Sequence, residues 1–92
     1  MEITPSILTA DFCRLGETID EAIEAGIGWL HMDVMDGNWV VNRTITFGPA
    51  LIKSVRERVG PAVFIDCHLM ITNAEETWEQ YANAGADMVI AH

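Results

Sequence analysis

Two stretches of the sequence place histidine and aspartate side chains at a spacing that can do chemistry. His31 and Asp33 lie two positions apart within residues 29–37, and His68 lies within residues 63–70. If both stretches are β-strands, alternate residues of each share one face. An ionisable group is costly to bury on a strand unless it has a hydrogen-bond partner or binds an ion. We therefore predict that His31, Asp33 and His68 belong to a functional site.

These three side chains meet only if the two strands are parallel neighbours. The segment between the strands predicts a helix that begins at Pro49, where a missing amide hydrogen has no cost, and that ends before Gly60. A helix that connects two strands of one sheet makes them parallel. The site would then lie at their carboxyl ends. At this point the alternative stays open that the two histidines are hydrogen-bonded core residues.

The rest of the chain repeats the alternation of strand and helix. Strands are predicted at residues 2–8, 29–37, 63–70 and 88–92, and helices at residues 14–25, 49–59 and 74–84. A distance of about 25 to 35 residues from strand to strand is typical of βαβ crossovers. We predict an α/β fold with the order βαβαβαβ and a parallel sheet. Three helices for four strands are too few for a closed barrel.

Two local predictions concern the third helix. The Asn73 side chain is expected to cap its first turn, with Glu76 completing a capping-box-like pattern. Trp78, Tyr81 and Ala82 lie at helical spacing and are expected to form its buried stripe.

Composition narrows the classes of partner. The formal net charge of −9 argues against nucleic acid and anionic membrane surfaces as partners. No apolar run approaches the roughly 18 residues of a membrane span, and no secretory signal is visible, so we expect a cytoplasmic protein. Cys13 and Cys67 are expected to be reduced, buried thiols.

Several motifs together resemble the ribulose-phosphate 3-epimerase family. They are Pro5-Ser6-Ile7-Leu8, Ala10-Asp11-Phe12, His31-Met32-Asp33-Val34-Met35-Asp36-Gly37, Thr46-Phe47-Gly48-Pro49, His68-Leu69-Met70 and Ala84-Gly85-Ala86-Asp87. The resemblance implies a (β/α)₈ TIM barrel, of which residues 1–92 form the N-terminal half and the remainder is absent. It also implies the metal-dependent interconversion of D-ribulose 5-phosphate and D-xylulose 5-phosphate at C3, in the pentose phosphate pathway.

The resemblance assigns roles to individual residues. His31, Asp33 and His68 match the family's metal ligands, and Asp33 also matches one of its two acid/base residues. The substrate-binding positions are matched by Ser6, by both histidines, and by two methionines that line the reacting face, Met35 and Met70. This donor set suits Zn²⁺, Fe²⁺, Co²⁺ or Mn²⁺ better than Mg²⁺ or Ca²⁺. Asp66, on the same strand face as His68, is expected to orient an imidazole.

The resemblance leaves alternatives open. The family's second acid/base residue is an aspartate that is also its fourth metal ligand. That residue and the phosphate-binding segments are expected outside this chain, so the 92 residues alone should turn over little or no substrate. The chain could instead be a non-catalytic half-barrel that binds metal or mediates oligomerisation, and an epimerase of a related hexulose phosphate fits the same motifs. A half-barrel exposes strand edges, so we expect a homo-oligomer. The resemblance implies a small phosphorylated ketose as substrate.

Overall fold

The computed structural model describes residues 12–38 and 45–91, in which strands and helices alternate as predicted. The predicted strand at residues 2–8, which carries Ser6, lies outside the described residues, as does His92. The elements are a 3₁₀ turn Phe12–Arg14, α1 Leu15–Glu24, β1 Trp29–Met35, α2 Pro49–Val59, β2 Phe64–Met70, α3 Ala74–Ala84 and β3 Met88–Ala91. These bounds agree with the sequence prediction to within about two residues.

The three described strands form one parallel sheet in the order β1-β2-β3. Each strand pairs with the next along the chain, and a helix makes each connection. The prediction of a parallel α/β fold is therefore confirmed, and the arrangement is that of a partial (β/α)₈ barrel.

The two faces of the sheet differ in burial. Alternate residues of β1 and β2 are almost inaccessible to solvent and pack in one core with side chains of all three helices. The strand residues of this core are Leu30, Met32, Val34, Ile65, Cys67 and Leu69. The intervening residues of β1 are all half-buried, and they face the opposite side, which no described helix covers. A sheet with helices on one face only is what a barrel wall looks like.

One arginine holds together the amino ends of β2 and β3. Arg56 donates hydrogen bonds to the carbonyl oxygens of Gly85 (2.9 Å), Gly60 (2.9 Å) and Val63 (2.7 Å). Its remaining nitrogen pairs with Asp87, which also accepts the amide of the second residue of β2. Gly85 has a φ of 127°, and a Cβ there would lie 2.7 Å from the Arg56 side chain. This arginine therefore joins α2, α3 and the amino ends of β2 and β3.

Three local predictions were wrong. The Asn73 side chain does not cap α3, because its backbone is not extended (φ −116°, ψ 34°) and only its carbonyl oxygen accepts bonds from the first turn. Trp78 is 46% exposed, since it lies about 60° around the helix from the buried Tyr81. Cys13 is exposed in the 3₁₀ turn, whereas Cys67 is buried as expected.

None of the helices in residues 12–38 and 45–91 is long and apolar enough to cross a bilayer.

Candidate metal centre

The register of β1 and β2 arranges the candidate site in layers. The Cα partners on the open face are Trp29 with Phe64, His31 with Asp66, Asp33 with His68, and Met35 with Met70. The last two layers are at the carboxyl ends of the strands, which is where barrel enzymes place their active sites. The alternation of side chains along each strand produces this order, because the residues between these positions are buried under the helices.

His31, Asp33 and His68 form a compact cluster. Each offers one ligand atom, and these atoms all lie within 4.8 Å of one another. Asp33 Oδ1 is 2.8 Å from His31 Nε2 and 3.4 Å from His68 Nδ1. All three side chains are half-buried, so the cluster is open to a ligand from the uncovered face of the sheet. Two imidazole nitrogens and one carboxylate oxygen at these distances fit a divalent transition-metal ion.

A buried carboxylate supports the first histidine. Asp66 is only 4% exposed, and its Oδ1 lies 2.5 Å from His31 Nδ1. Its other oxygen accepts a hydrogen bond from Trp29 Nε1, also at 2.5 Å. The sequence predicted that Asp66 would orient an imidazole, and the structure identifies that imidazole as His31. The part played by Trp29 was missed, although its position on the same strand face two residues before His31 was visible.

The two carboxylates around His31 determine its charge preference. Burial lowers the pKa of His31, but the hydrogen bond and charge of Asp66, together with those of Asp33, outweigh it, so that the pKa is raised overall. Both ring nitrogens lie within hydrogen-bond distance of a carboxylate oxygen. Such a setting stabilises positive charge, whether it is carried by a proton or by a metal ion.

Thr46 holds the backbone from Asp33 to Met35. Its hydroxyl donates to the carbonyl oxygen of Asp33 and accepts from the amide of Met35, both at 2.9 Å, and its own amide donates to the Met35 carbonyl at 3.0 Å. Sequence reasoning assigned Thr46 no role, although it stands in one of the motifs that carry the family resemblance. It restrains the segment where Asp33 and Met35 project from the sheet.

Asp36 links the ends of β1 and β2. Its Oδ2 accepts hydrogen bonds from the amide (2.9 Å) and the hydroxyl (3.0 Å) of Thr72, the second residue after β2. Its Oδ1 accepts a hydrogen bond from the amide of Asn38 at 2.9 Å, which closes a turn after the strand. This contact holds the strand ends that carry Met35 and Met70 next to each other.

Ser6 lies outside the described residues, so its proposed contact with substrate stays a prediction.

The sequence of this chain matches one protein family over nearly its whole length. The sequence model described as "Ribulose-phosphate 3 epimerase family" matches residues 2–92. The chain belongs to this family. Its residues 31–37 and 68–70, which build the cluster and its rim, lie inside the matched region.

Curated relatives named ribulose-phosphate 3-epimerase share close to half of the residues. The relative from Synechocystis sp. is 47% identical over 90 residues, covering 98% of this chain and 37% of the relative. That from Rhodobacter capsulatus is 46% identical over 93 residues (100% and 39%), and a cytoplasmic isoform from Oryza sativa is 42% identical over 91 residues (99% and 38%). The chain thus spans about two fifths of the length of these ribulose-phosphate 3-epimerases.

Proposed function

We propose that residues 1–92 form the N-terminal half of a (β/α)₈ barrel that epimerises D-ribulose 5-phosphate to D-xylulose 5-phosphate at C3. The observation that carries this proposal is the convergence of His31, Asp33 and His68 on the open face of the sheet, with ligand atoms within 4.8 Å. Family membership supports the reaction type, since the matched relatives are named as ribulose-phosphate 3-epimerases.

The same three side chains would hold a divalent ion, either Zn²⁺, Fe²⁺, Co²⁺ or Mn²⁺. Their donor set of two nitrogens and one oxygen suits these ions better than Mg²⁺ or Ca²⁺, which prefer oxygen ligands. Such an ion, when bound, supplies positive charge that lowers the energy of the negatively charged enediolate.

Asp33 would act as the base on one face of the substrate. Epimerisation next to a ketone removes a proton from C3 on one face and returns one on the other. Asp33 is half-buried, and Thr46 holds its backbone, so the carboxylate has a defined position relative to a substrate on the open face. The acid on the opposite face would come from a residue outside this chain.

The remaining residues at the rim would bind the substrate. Met35 and Met70 form the layer above Asp33 and His68, where their thioethers would exclude water from the reacting carbon. Ser6 would contact the substrate from the first strand, and His31 and His68 would face it from below. The phosphate group would be held by segments outside this chain, so we expect the 92 residues alone to show little or no turnover.

We further propose a cytoplasmic homo-oligomer. One relative is named as a cytoplasmic isoform. β3 is at one edge of the described sheet, and its Met88 and Ile90 are each 38% exposed on the open face. When the 92 residues stand alone, such an edge and apolar face tend to pair with another copy of the chain, whereas in a complete barrel the following strand would cover them.

A chimeric enzyme tests the proposed reaction. The chain aligns with the N-terminal part of the Synechocystis relative, so the rest of that relative can be fused after residue 92. We expect the chimera to epimerise D-ribulose 5-phosphate in the presence of Co²⁺ or Zn²⁺, and the 92-residue chain alone to do so little or not at all. A folded, metal-binding chimera that is inactive on this substrate would contradict the proposal. Activity on a six-carbon ketose phosphate instead would indicate a hexulose-phosphate epimerase.

A further inference from the structure

Asp66 is the one charged or polar residue that is buried among the described residues. A buried carboxylate is costly unless its oxygens are paired. Both oxygens of Asp66 are paired, one with the indole N–H of Trp29 and the other with Nδ1 of His31. The sheet therefore contains a chain of hydrogen bonds that runs from Trp29 through Asp66 to a proposed metal ligand.

We propose that Asp66, anchored by Trp29, is a positioning residue that determines which nitrogen of His31 faces the metal. This inference rests on the proposed metal-dependent function. Asp66 does not itself reach the cluster, since the ligand atoms come from His31, Asp33 and His68. It acts through the tautomer and the orientation of the His31 ring.

The tautomer follows from the chemistry of the carboxylate. An ionised carboxylate only accepts hydrogen bonds, so the contact with Asp66 calls for a hydrogen on His31 Nδ1, and the contact with Asp33 competes for a hydrogen on Nε2. We expect the single hydrogen of the neutral ring on Nδ1, because the contact with Asp66 is shorter than that with Asp33 (2.5 Å against 2.8 Å) and the Asp66 side chain is less exposed (6% against 15%). The lone pair of Nε2 then faces the cluster. A histidine ligand with its other nitrogen bound to a carboxylate is both oriented and made more basic.

Trp29 fixes the carboxylate in turn. Trp29 and Phe64 are Cα partners, and their rings meet edge to face with centroids 4.5 Å apart and an interplanar angle of 61°. His31 and Asp66 are the Cα partners of the next layer on the same face. The hydrogen bonds thus connect neighbouring layers of two paired strands, and the indole N–H of Trp29 holds the second oxygen of Asp66 while the first faces His31.

The test compares two variants with matched controls in the 92-residue chain. Asp66→Asn retains the shape of the side chain but has only one carbonyl oxygen, so only one of the two positions that now face Trp29 and His31 can accept a hydrogen bond. When that oxygen pairs with Trp29, its amide group faces His31 Nδ1 and favours the tautomer protonated at Nε2. Trp29→Phe keeps the carboxylate but removes its anchor. The controls are Asp20→Asn on α1 and the exposed Trp78→Phe on α3.

Two readouts separate positioning from a merely structural role. The first is the affinity for Co²⁺, measured by titration calorimetry or by cobalt absorption. We expect Asp66→Asn to weaken it by about 10- to 100-fold and Trp29→Phe by about fivefold, equivalent to one hydrogen bond, with both controls unchanged. The second is the ¹⁵N spectrum of the histidine rings, recorded without metal at a pH where the imidazoles are neutral. We expect His31 to be protonated at Nδ1 in the unaltered chain and at Nε2 in Asp66→Asn.

The outcomes distinguish this inference from the proposed function. If neither the unaltered chain nor the chimera binds Co²⁺, the proposed metal centre is wrong, whereas the tautomer of His31 still tests the role of Asp66. If the unaltered chain binds Co²⁺ and both variants keep its affinity and tautomer, the inference is overturned. Circular dichroism establishes whether each variant is folded. Should Asp66→Asn not fold, Trp29→Phe decides the question, and full affinity in that variant counts against the anchor.

Discussion

Asp33 and His68 are Cα partners across β1 and β2, and Asp33 Oδ1 lies 3.4 Å from His68 Nδ1. Both side chains point away from the helices because the neighbouring positions of each strand are buried beneath them. A shift of one residue in β2 would turn His68 under the helices and bring the Cys67 side chain to the open face. The cluster therefore depends on the register of two strands, and the buried apolar residues enforce that register.

Replacing either proposed histidine ligand should abolish tight metal binding. Three donors share the site, so His31→Asn or His68→Asn leaves two, and we expect a loss greater than the ~10- to 100-fold typical of losing a supporting residue. Co²⁺ titration of the 92-residue chain measures this loss. His92→Asn, a change at the histidine for which we propose no role, is the matched control. Unchanged affinity in both ligand variants would mean that the ion binds elsewhere.

Replacing Asp33 by asparagine should remove the proposed base. Asparagine has nearly the same shape but cannot take a proton at neutral pH, so kcat of the chimeric enzyme should fall by about 10²- to 10⁴-fold. Initial rates with D-ribulose 5-phosphate at saturating Co²⁺ measure the change. Asp20→Asn, on the outer surface of α1, should retain full activity. A kcat of Asp33→Asn close to that of the unaltered chimera would assign the proton transfer to another residue.

The cluster could be predicted from the sequence because it depends on periodicity. Residues two apart on a strand share a face, and the helix between the strands makes them parallel. These two facts bring His31, Asp33 and His68 to one end of the sheet. The same periodicity correctly placed Met35 and Met70 in the rim layer.

The contacts that support the cluster could not be predicted in the same way. Trp29 reaches Asp66 across 37 positions of sequence, and the Thr46 hydroxyl bonds to backbone atoms of Asp33 and Met35. Such bonds depend on rotamers and on where a loop returns to the sheet, and neither is encoded in the hydrophobic pattern. Trp78 shows how far burial can be predicted from spacing. The spacing of apolar residues locates the buried stripe of a helix only approximately, so a residue at the edge of the stripe can be exposed.

Replacing Arg56 by lysine should destabilise the fold without touching the site. The guanidinium donates to three carbonyl oxygens in two separate turns and pairs with Asp87, and a single ammonium group cannot reach all of them. Since each unpaired buried group costs about 1–3 kcal/mol, we expect a loss of roughly 2–4 kcal/mol in the free energy of unfolding.

Urea denaturation measures this loss, and Arg58→Lys is the matched control. Arg58 pairs with Asp20 on the surface, where both side chains are about half exposed, and exposed ion pairs contribute little to stability. We expect a clear difference between the two variants. Equal and small effects would show that the carbonyl contacts of Arg56 do not hold the strand ends together.

The two cysteines should differ in reactivity. Cys67 is inaccessible to solvent, and burial, with a further contribution from the charge of Asp66, raises the pKa of its thiol to about 12. At pH 8 only about one such thiol in 10⁴ is ionised, whereas Cys13 is exposed in the turn before α1. Iodoacetamide should therefore modify Cys13 of the native chain at least about 100-fold faster than Cys67, and urea should remove the difference. Mass spectrometry of the unaltered chain and of Cys13→Ser measures both rates. Cys67 lies on β2 and is buried in the core formed with the helices. Rapid labelling of Cys67 in the native chain would therefore mean that β2 is not packed against the helices when the 92 residues stand alone.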